Sequence, residues 1–285
     1  MKQLVEIDEW TVVQDGFDPE HHRVHESLFS LGNGHMGGRG NHEETYSGDS
    51  LQGNYLAGVY YPDPTRVGWW KNGYPDYFAK VLNAADSTPS HVADDGTALD
   101  LATAEVLSYR RTLDMRSAEL VRSFKARLPN ATMVDVEVTK LVSLSRKHLG
   151  AIRYRITPVS NTSLGLSLHV DGDVLNEDSN YDEGFWEEVT QSAAGARATV
   201  VSRTKKTAFE CATAMAFEVR VGGAVVEPVT EPMTGTRFAG LAFELDVAAG
   251  QTVEISKFGA NATSREMAAD DIVSCCHDVL DQAMV

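Results

Sequence analysis

Residues 134–139 read Val-Asp-Val-Glu-Val-Thr, an alternation of apolar and polar side chains. Successive side chains of a β-strand point to opposite faces, so this period of two predicts a strand with one buried face. The same pattern recurs in four later runs: Ile152–Ile156, Leu164–Val170, Cys211–Val219 and Leu241–Val247. Many antiparallel strands with one apolar face each need two sheets packed face to face. We therefore predict an all-β fold, a large two-sheet antiparallel β-sandwich.

The C-terminal segment changes to helical spacing. Thr263-Ser264-Arg265-Glu266 has the pattern of a capping box, with Thr263 as N-cap and Glu266 at the third helical position. Apolar residues then follow at helical spacing: Ile272, Val273, Cys276, Val279, Leu280 and Ala283. We expect residues 1–262 to form the sandwich domain and residues 263–285 to begin a helical linker. The helix reaches the last residue without a glycine or proline stop, which suggests a longer parent protein.

Composition excludes several classes of partner. The 285 residues carry a formal net charge of −16, which disfavours nucleic acid and anionic membranes as partners. The first ten residues hold three acids and no apolar run, so they do not resemble a signal peptide. Three cysteines, two of them adjacent, make a poor disulfide framework and favour a reducing compartment. We expect a cytoplasmic protein.

A glycine-rich stretch lies near the N-terminus. Its glycines match G-x-G-x-x-G, but a dinucleotide site needs a helix opening on the last glycine. Gly38-Arg39-Gly40-Asn41 follows instead, so we interpret the stretch as a turn and expect no cofactor. The residues predicted to shape this loop are Gly32, Asn33, Gly34, Gly37 and Gly40.

Clusters of possible metal ligands are weak. The residues His21, His22, His25 and Glu26 fit no standard ligand spacing, and we interpret these histidines as solvated or capping. Asp171-Gly172-Asp173 lacks the glycine that a calcium loop needs and is interpreted as a polar turn. We expect no metal site.

Carboxylates and aromatic residues are the remaining candidates. Cleavage of a glycoside needs an acid and a base or nucleophile, but sequence spacing cannot pair acids across strands. For Glu26, Glu43 and Glu44 we favour hydrogen bonds and salt bridges within the loop, and we retain Glu44 and Arg39 as candidates for a saccharide-binding rim. Sugar rings stack on aromatic faces, so Trp69, Trp70 and Tyr74 are further candidates. An equally good interpretation is an aromatic cluster that anchors a long loop.

Residues 26–40, Glu-Ser-Leu-Phe-Ser-Leu-Gly-Asn-Gly-His-Met-Gly-Gly-Arg-Gly, closely resemble the opening of glycoside hydrolase family 65. The family contains maltose, trehalose, kojibiose and nigerose phosphorylases and some hydrolases. Further matches follow in family order: Glu43-Glu44, Gly53–Tyr60, Tyr109–Met115, Leu120–Arg122, Asp171–Asn176, Lys257–Ala260 and Thr263–Arg265. His35-Met36 departs from the commoner aromatic-leucine or aromatic-methionine pair, and Ala84–Asp86 replaces a proline-containing stretch.

The resemblance implies an N-terminal super-β-sandwich of the galactose-mutarotase-like type. It implies a catalytic (α/α)6-barrel downstream, which holds the general acid and the phosphate site. The full-length enzyme would phosphorolyse an α-glucosidic disaccharide with inversion to β-glucose 1-phosphate, with inorganic phosphate as co-substrate. This domain would be non-catalytic, would support the barrel and would shape the active-site rim. Its expected partners are that barrel, a small saccharide and a second copy in a homodimer.

Two alternatives stay open. One is an autonomous carbohydrate-binding module, which rests on the aromatic segment. The other is the N-terminal domain of a true inverting α-glucoside hydrolase, which would use water and a second carboxylate. The residues that decide between phosphorolysis and hydrolysis are expected in the barrel.

Overall fold

A computed structural model describes residues 4–65, 73–176 and 184–284 of the chain. Most of these residues lie in twenty strands, joined by turns and two short α-helices. The strands are β1 Glu6–Ile7, β2 Thr11–Asp15, β3 Leu31–Gly32, β4 Met36–Gly38, β5 Asn54–Pro64, β6 Tyr77–Asn83, β7 Ser90–Asp94, β8 Thr97–Ala98, β9 Glu105–Asp114, β10 Glu119–Arg127, β11 Met133–Val142, β12 Leu149–Pro158, β13 Thr162–Asp171, β14 Trp186–Ala194, β15 Arg197–Thr204, β16 Glu210–Val221, β17 Ala224–Val226, β18 Glu231–Gly235, β19 Phe238–Val247 and β20 Val253–Thr263. The helices are α1 His22–Leu28 and α2 Ile272–Ala283, each preceded by a 3₁₀ turn, Pro19–His21 and Ala269–Asp271.

The strands form three antiparallel sheets. An eleven-stranded sheet has the order β1-β2-β9-β10-β11-β12-β20-β16-β15-β14, with β17 paired to β16. A five-stranded sheet has the order β18-β19-β13-β7-β8, and a four-stranded sheet has the order β3-β4-β5-β6. The predicted all-β antiparallel fold is confirmed, and the third sheet adds to the two that the periodicity predicts.

The main core lies between the eleven-stranded and five-stranded sheets. Val136 and Val138 of β11 are buried in the alternation that the sequence shows, and Val138 pairs with Tyr154 of β12. Leu166 of β13 and Phe243 of β19 face them from the smaller sheet and pair with each other. Each strand therefore buries one face because its apolar residues recur every second position.

The four-stranded sheet has a core of its own. Leu56 and Tyr61 of β5 pack with Leu82 of β6 and with Phe185, and all four side chains are buried. This sheet carries the glycine-rich stretch in its first hairpin, β3–β4. The hairpin is held against the turn between β11 and β12 of the eleven-stranded sheet.

Helix α2 packs on the outer face of the eleven-stranded sheet. Ile272, Cys276 and Leu280 are fully buried against a group of small side chains on β16 and β20. That group comprises Ala212, Ala214, Ala216, Ala260 and Ala262. Small side chains let the helix approach closely, so β16 is buried on both faces from Cys211 to Phe217.

The predicted start of the C-terminal helix is wrong. Thr263 is the last residue of β20 and pairs with Cys211 of β16, so it cannot act as an N-cap. The carboxylate of Glu266 lies 2.6 Å from the ammonium of Lys147 and does not cap a helix. The helix begins at Ile272, nine residues after the predicted cap, because strand pairing extends through Thr263. The helical spacing of the later apolar residues is confirmed.

Within the ranges that the structure describes, no helix is long and apolar enough to cross a membrane.

Candidate functional site

Residues 26–44, here called the glycine-rich segment, begin in α1 and pass through the β3–β4 hairpin. Asn33 fixes this hairpin: its Oδ1 accepts the backbone N–H groups of His35 and Met36, both at 3.0 Å. Its Nδ2 donates to the carbonyls of Ser143 and Lys147 at 2.7 and 2.9 Å, in the turn between β11 and β12. One side chain therefore forms the turn and ties it to the large sheet.

Two glycines of the hairpin segment have a clear steric role. Gly34 has φ +84°, a left-handed conformation that side chains disfavour. Gly40 lies against Phe29, so an added Cβ would stand 2.8 Å from the Cβ of Phe29. Gly32 and Gly37 face each other across the β3–β4 pair. The segment is a hairpin followed by a close crossing under α1, and no helix opens after Gly40.

Arg39 joins the segment to α1. Its guanidinium donates to the hydroxyl of Ser27 and to the carbonyl of Arg23, both at 2.7 Å. The same group lies 3.7 Å from the carboxylate of Glu26. Arg39 also lines a small cavity beneath the hairpin, so it is both an anchor and a cavity residue.

Glu26 is a buried hydrogen-bond acceptor at the centre of the loop. Its carboxylate accepts from Asn41 Nδ2 at 2.7 Å, Ser50 Oγ at 2.5 Å and the backbone N–H of Leu51 at 2.8 Å. Burial alone would raise the pKa of this carboxyl, but hydrogen bonds from His22, Ser50 and Leu51 lower it. His22 and His25 are themselves buried, so the interpretation of these two histidines as solvated is wrong.

Glu43 and Glu44 are bound by two cations of the large sheet. Arg122 Nη2 lies 2.6 Å from Glu43 and 2.7 Å from Glu44, and Lys140 Nζ lies 2.6 Å from Glu43. The hydroxyl of Tyr154 donates to Glu44 at 2.9 Å. Burial opposes ionisation of Glu43, yet the two cations hold its pKa at about 2. Glu44 is buried in this arrangement and lies at the wall of the open groove described below.

His42 completes the buried polar layer. Its Nε2 accepts from Arg111 Nη2 at 2.7 Å and lies 3.1 Å from the hydroxyl of Tyr109. Burial and the nearby guanidinium groups of Arg122 and Arg111 hold the pKa of His42 well below its usual value. The imidazole is therefore neutral and serves as an acceptor for a buried arginine.

A cavity of about 70 Å³ lies under the hairpin and is lined by Arg39, Asp86, Lys140, Lys257 and Asn261, among others. Lys257 Nζ is buried and donates to the carbonyls of Pro89 and His169. Its burial lowers its pKa to about 7. Pockets that enclose drug-sized ligands span about 300–1,000 Å³, so this cavity is too small for a disaccharide.

An open groove of about 410 Å³ lies beside the end of the glycine-rich segment and is lined in part by Glu43 and Glu44. His91, His169, Gln52 and Asp171 are among its lining residues. Burial lowers the pKa of His91, and burial and the charge of Lys257 lower that of His169 to about 3. Neutral imidazoles can exchange hydrogen bonds with hydroxyl groups. The groove has the size and polarity of a small-ligand site. His91 and His169 add no positive charge to it.

Of the aromatic candidates, Tyr74 lies just before β6. Trp69 and Trp70 fall outside the described residues. Tyr74 is half exposed, as are Tyr77 and Phe78 in β6. Tyr77 pairs with Pro64, and Val81 with Tyr60, so the outer face of the β5–β6 pair is apolar and solvent-exposed.

Sequence reasoning missed the cations that bind the carboxylates. A signal was present, because Arg122 falls between Leu120 and Phe124 on the buried face of β10. Lys140 likewise continues the buried register of Val138 in β11, and Lys257 that of Ile255 in β20. A charged side chain at a position that alternation assigns to the core indicates a buried partner of opposite charge.

Comparisons with known proteins support the observed fold and point to one protein family. Residues 12–284 match the family model described as "Glycosyl hydrolase family 65, N-terminal domain". The chain is 43% identical over 209 residues to the maltose phosphorylase of Bacillus subtilis (strain 168), a match covering 73% of this chain and 28% of that protein. It is 28% identical over 300 residues to the alpha,alpha-trehalose phosphorylase of Thermoanaerobacter brockii, covering 99% of this chain and 38% of that protein.

A solved structure supports the same architecture. The putative kojibiose phosphorylase from human microbiome superposes with a TM-score of 0.85, over 99% of this chain and 36% of that one, at 22% identity. At this identity the likeness shows the fold alone. The present chain thus spans between 28% and 38% of the length of these three proteins.

Proposed function

We propose, from the premise that this chain belongs to glycosyl hydrolase family 65 as an N-terminal domain, that it is the non-catalytic domain of an α-glucoside phosphorylase. The relatives named above are a maltose and a trehalose phosphorylase. The whole enzyme would transfer the glucosyl group of an α-glucosidic disaccharide to inorganic phosphate with inversion, giving β-glucose 1-phosphate. Catalysis would take place in a separate (α/α)6-barrel.

This proposal rests on the contacts of the three carboxylates in and beside the glycine-rich segment. Glycoside cleavage needs an acid that can reach the glycosidic oxygen. Glu26, Glu43 and Glu44 are buried, and each is bound by hydrogen bonds or cations within the domain. A carboxylate whose pKa is held at about 2, like that of Glu43, cannot donate a proton near neutral pH. These acids therefore stabilise the loop, and the general acid is assigned to the barrel.

The domain's own role would be to support the barrel and shape the active-site rim. Residues 26–44 and 60–76 would face the barrel, with Tyr74 and Arg39 near the saccharide. The sandwich would be residues 1–262, and the chain from residue 263 would lead to the barrel through α2. We also propose a cytoplasmic location and a homodimeric enzyme.

The test compares the 285-residue chain with its full-length parent enzyme. Each is incubated with maltose, trehalose or kojibiose and inorganic phosphate, and glucose 1-phosphate is measured with a coupled assay. The parent should form glucose 1-phosphate, and the 285-residue chain should form none. Release of glucose by the parent without phosphate would identify the hydrolase alternative. Phosphorolysis by the 285-residue chain would contradict a non-catalytic role.

A second candidate function is saccharide binding by the domain alone. It is favoured by the half-exposed aromatic side chains of Tyr74, Tyr77 and Phe78, since sugar rings stack on such faces. Titration with maltooligosaccharides, followed by intrinsic fluorescence, would give a saturable change if the chain is a binding module. Tyr77→Ala should then weaken binding, whereas Tyr55→Ala should leave it unchanged. No saturable change at millimolar sugar would exclude this function.

A further inference from the structure

Three segments that are far apart in sequence bring two imidazoles and a carboxylate together. His35 lies at the end of the β3–β4 turn, His148 lies just before β12, and Glu266 lies in the turn after β20. One ligand-type atom from each of the three lies within 4.8 Å of the others. His35 Nδ1 is 3.5 Å from Glu266 Oε1, and His148 Nδ1 is 4.0 Å from Glu266 Oε2.

Both rings contact one backbone carbonyl. His148 Nδ1 lies 2.7 Å and His35 Nε2 lies 3.4 Å from the oxygen of Asn261. The ring centroids are 4.4 Å apart, with an edge-to-face angle of 75°. A carbonyl only accepts hydrogen bonds, so His148 places its Nδ1–H and His35 its Nε2–H towards Asn261. The nitrogens left to bind an ion are then Nε2 of His148 and Nδ1 of His35. This tautomer leaves the Nδ1 lone pair of His35 facing the carboxylate of Glu266.

Two acceptors that face each other at 3.5 Å need a positive centre between them. Lys147 supplies part of the charge, because its ammonium lies 2.6 Å from Glu266 Oε1. The Lys147 side chain is more than half exposed and flexible, so it can leave the carboxylate.

We propose that His35, His148 and Glu266 bind a divalent transition-metal ion, and that the ion is zinc. Two imidazoles and one carboxylate form a donor set typical of zinc, which accepts nitrogen and oxygen ligands at about 2.0–2.2 Å. A hard cation such as Mg²⁺ prefers an all-oxygen set and would bind poorly. The ion would stand between the three side chains and displace the ammonium of Lys147.

The ion would join the β3–β4 hairpin to the β11–β12 turn and to the turn that precedes α2. Binding to the folded state alone raises stability, so zinc should also raise the melting temperature.

The experiment uses the 285-residue chain, freed of metal with a chelator and dialysed. Zn²⁺ and, separately, Mg²⁺ are titrated by calorimetry, and Co²⁺ is followed by its visible absorption. We expect one Zn²⁺ per chain, a Co²⁺ spectrum of low coordination number, no heat from Mg²⁺, and a rise in melting temperature with Zn²⁺. His35→Phe and His148→Ala should each weaken Zn²⁺ binding by about 100-fold or more. Lys147→Ala should strengthen it, because the competing ammonium is gone.

The matched control is His21→Ala. His21 belongs to a second group, with Asp18 and Glu20, whose ligand atoms also lie close together. This substitution should leave Zn²⁺ affinity unchanged. The proposal is overturned if folded His35→Phe and His148→Ala proteins, checked by circular dichroism, keep wild-type affinity. It is also overturned if His21→Ala abolishes binding, which would place the ion at the other group. Should His35→Phe fail to fold, Glu266→Gln gives the same test.

Discussion

Arg122 and Glu44 form an ion pair inside the sandwich, with 2.7 Å between Nη2 and Oε2. Their side chains expose 4% and 0% of their surface. The pair fixes the glycine-rich segment to β10 of the large sheet, and Glu43 shares the same guanidinium. A buried charge that loses its partner is strongly destabilising, so the site is sensitive to the loss of one residue.

Substitution of Arg122 by methionine tests this anchor. Arg122→Met leaves Glu44 without its cation and Glu43 with Lys140 alone. We expect the free energy of unfolding to fall by about 3–5 kcal/mol, measured by urea denaturation. The control is Arg127→Met, which removes an exposed pair with Glu105 and should cost about 1 kcal/mol or less. Equal losses in the two variants would show that the buried pair is not a special anchor.

The low pKa of Glu43 predicts how the stability of the protein changes at acidic pH. It is about 2 in the folded protein and 4.5 without its surroundings, because Lys140 and Arg122 overcome the effect of burial. Ionised Glu43 therefore stabilises the fold fully above about pH 5, and this contribution is lost as the pH falls towards 2. Urea denaturation at several pH values should show Glu43→Gln to be less stable than wild type at pH 7, with a difference that shrinks in acid. A constant difference would contradict the assignment.

Lys257 should make the free energy of unfolding depend on pH in the neutral to alkaline range. Burial lowers its pKa from 10.5 to about 7, although Asp86 and Glu43 act in the other direction. Between these values the unfolded chain binds the proton more strongly, so stability should rise with pH from about 7 upward. Lys257→Met removes this group, and its free energy of unfolding should be flatter from pH 7 to 9 than that of wild type. Parallel curves for the two proteins would argue against a perturbed lysine.

Gly40 is predicted to be intolerant of a methyl group. Its Cβ would stand 2.8 Å from the Cβ and 2.9 Å from the carbonyl oxygen of Phe29, which is fully buried. Gly40→Ala should destabilise the protein by about 1–3 kcal/mol, since the crossing under α1 must open. Gly165→Ala is the control, because its nearest neighbour would be 3.9 Å away. Thermal unfolding should separate the two variants, and a neutral Gly40→Ala would show that the crossing is loose.

The sequence predicts the strands well because one physical rule governs them. The period of two in β11, β12, β13, β16 and β19 places each apolar face on the core, and the structure keeps that register. The predicted start of the C-terminal helix was wrong because Thr263 pairs with β16 as the last residue of β20 and is not available as a helix cap. A local capping pattern contains no information about a strand that is distant in sequence and competes for the same residue.

The candidate site was less predictable, since its contacts join distant residues. Glu44 meets Tyr154, 110 positions away, and Glu43 meets Arg122, 79 positions away. Sequence reasoning identified the acids and favoured salt bridges, but it could not name their partners. The cations at core positions of β10, β11 and β20 carried that information, because a charge on a buried face requires a counter-charge.

Helix α2 provides the last prediction, which concerns the domain boundary. Leu280 is fully buried against the alanine-rich outer face of β16 and β20. If α2 is part of the sandwich's cooperative unit, Leu280→Ala should lower the free energy of unfolding by about 2–5 kcal/mol and keep a single transition. Met284→Ala, at a position 40% exposed, should change it by about 0.5 kcal/mol or less. A Leu280→Ala protein that unfolds like wild type would show that α2 is a linker helix independent of the sandwich core.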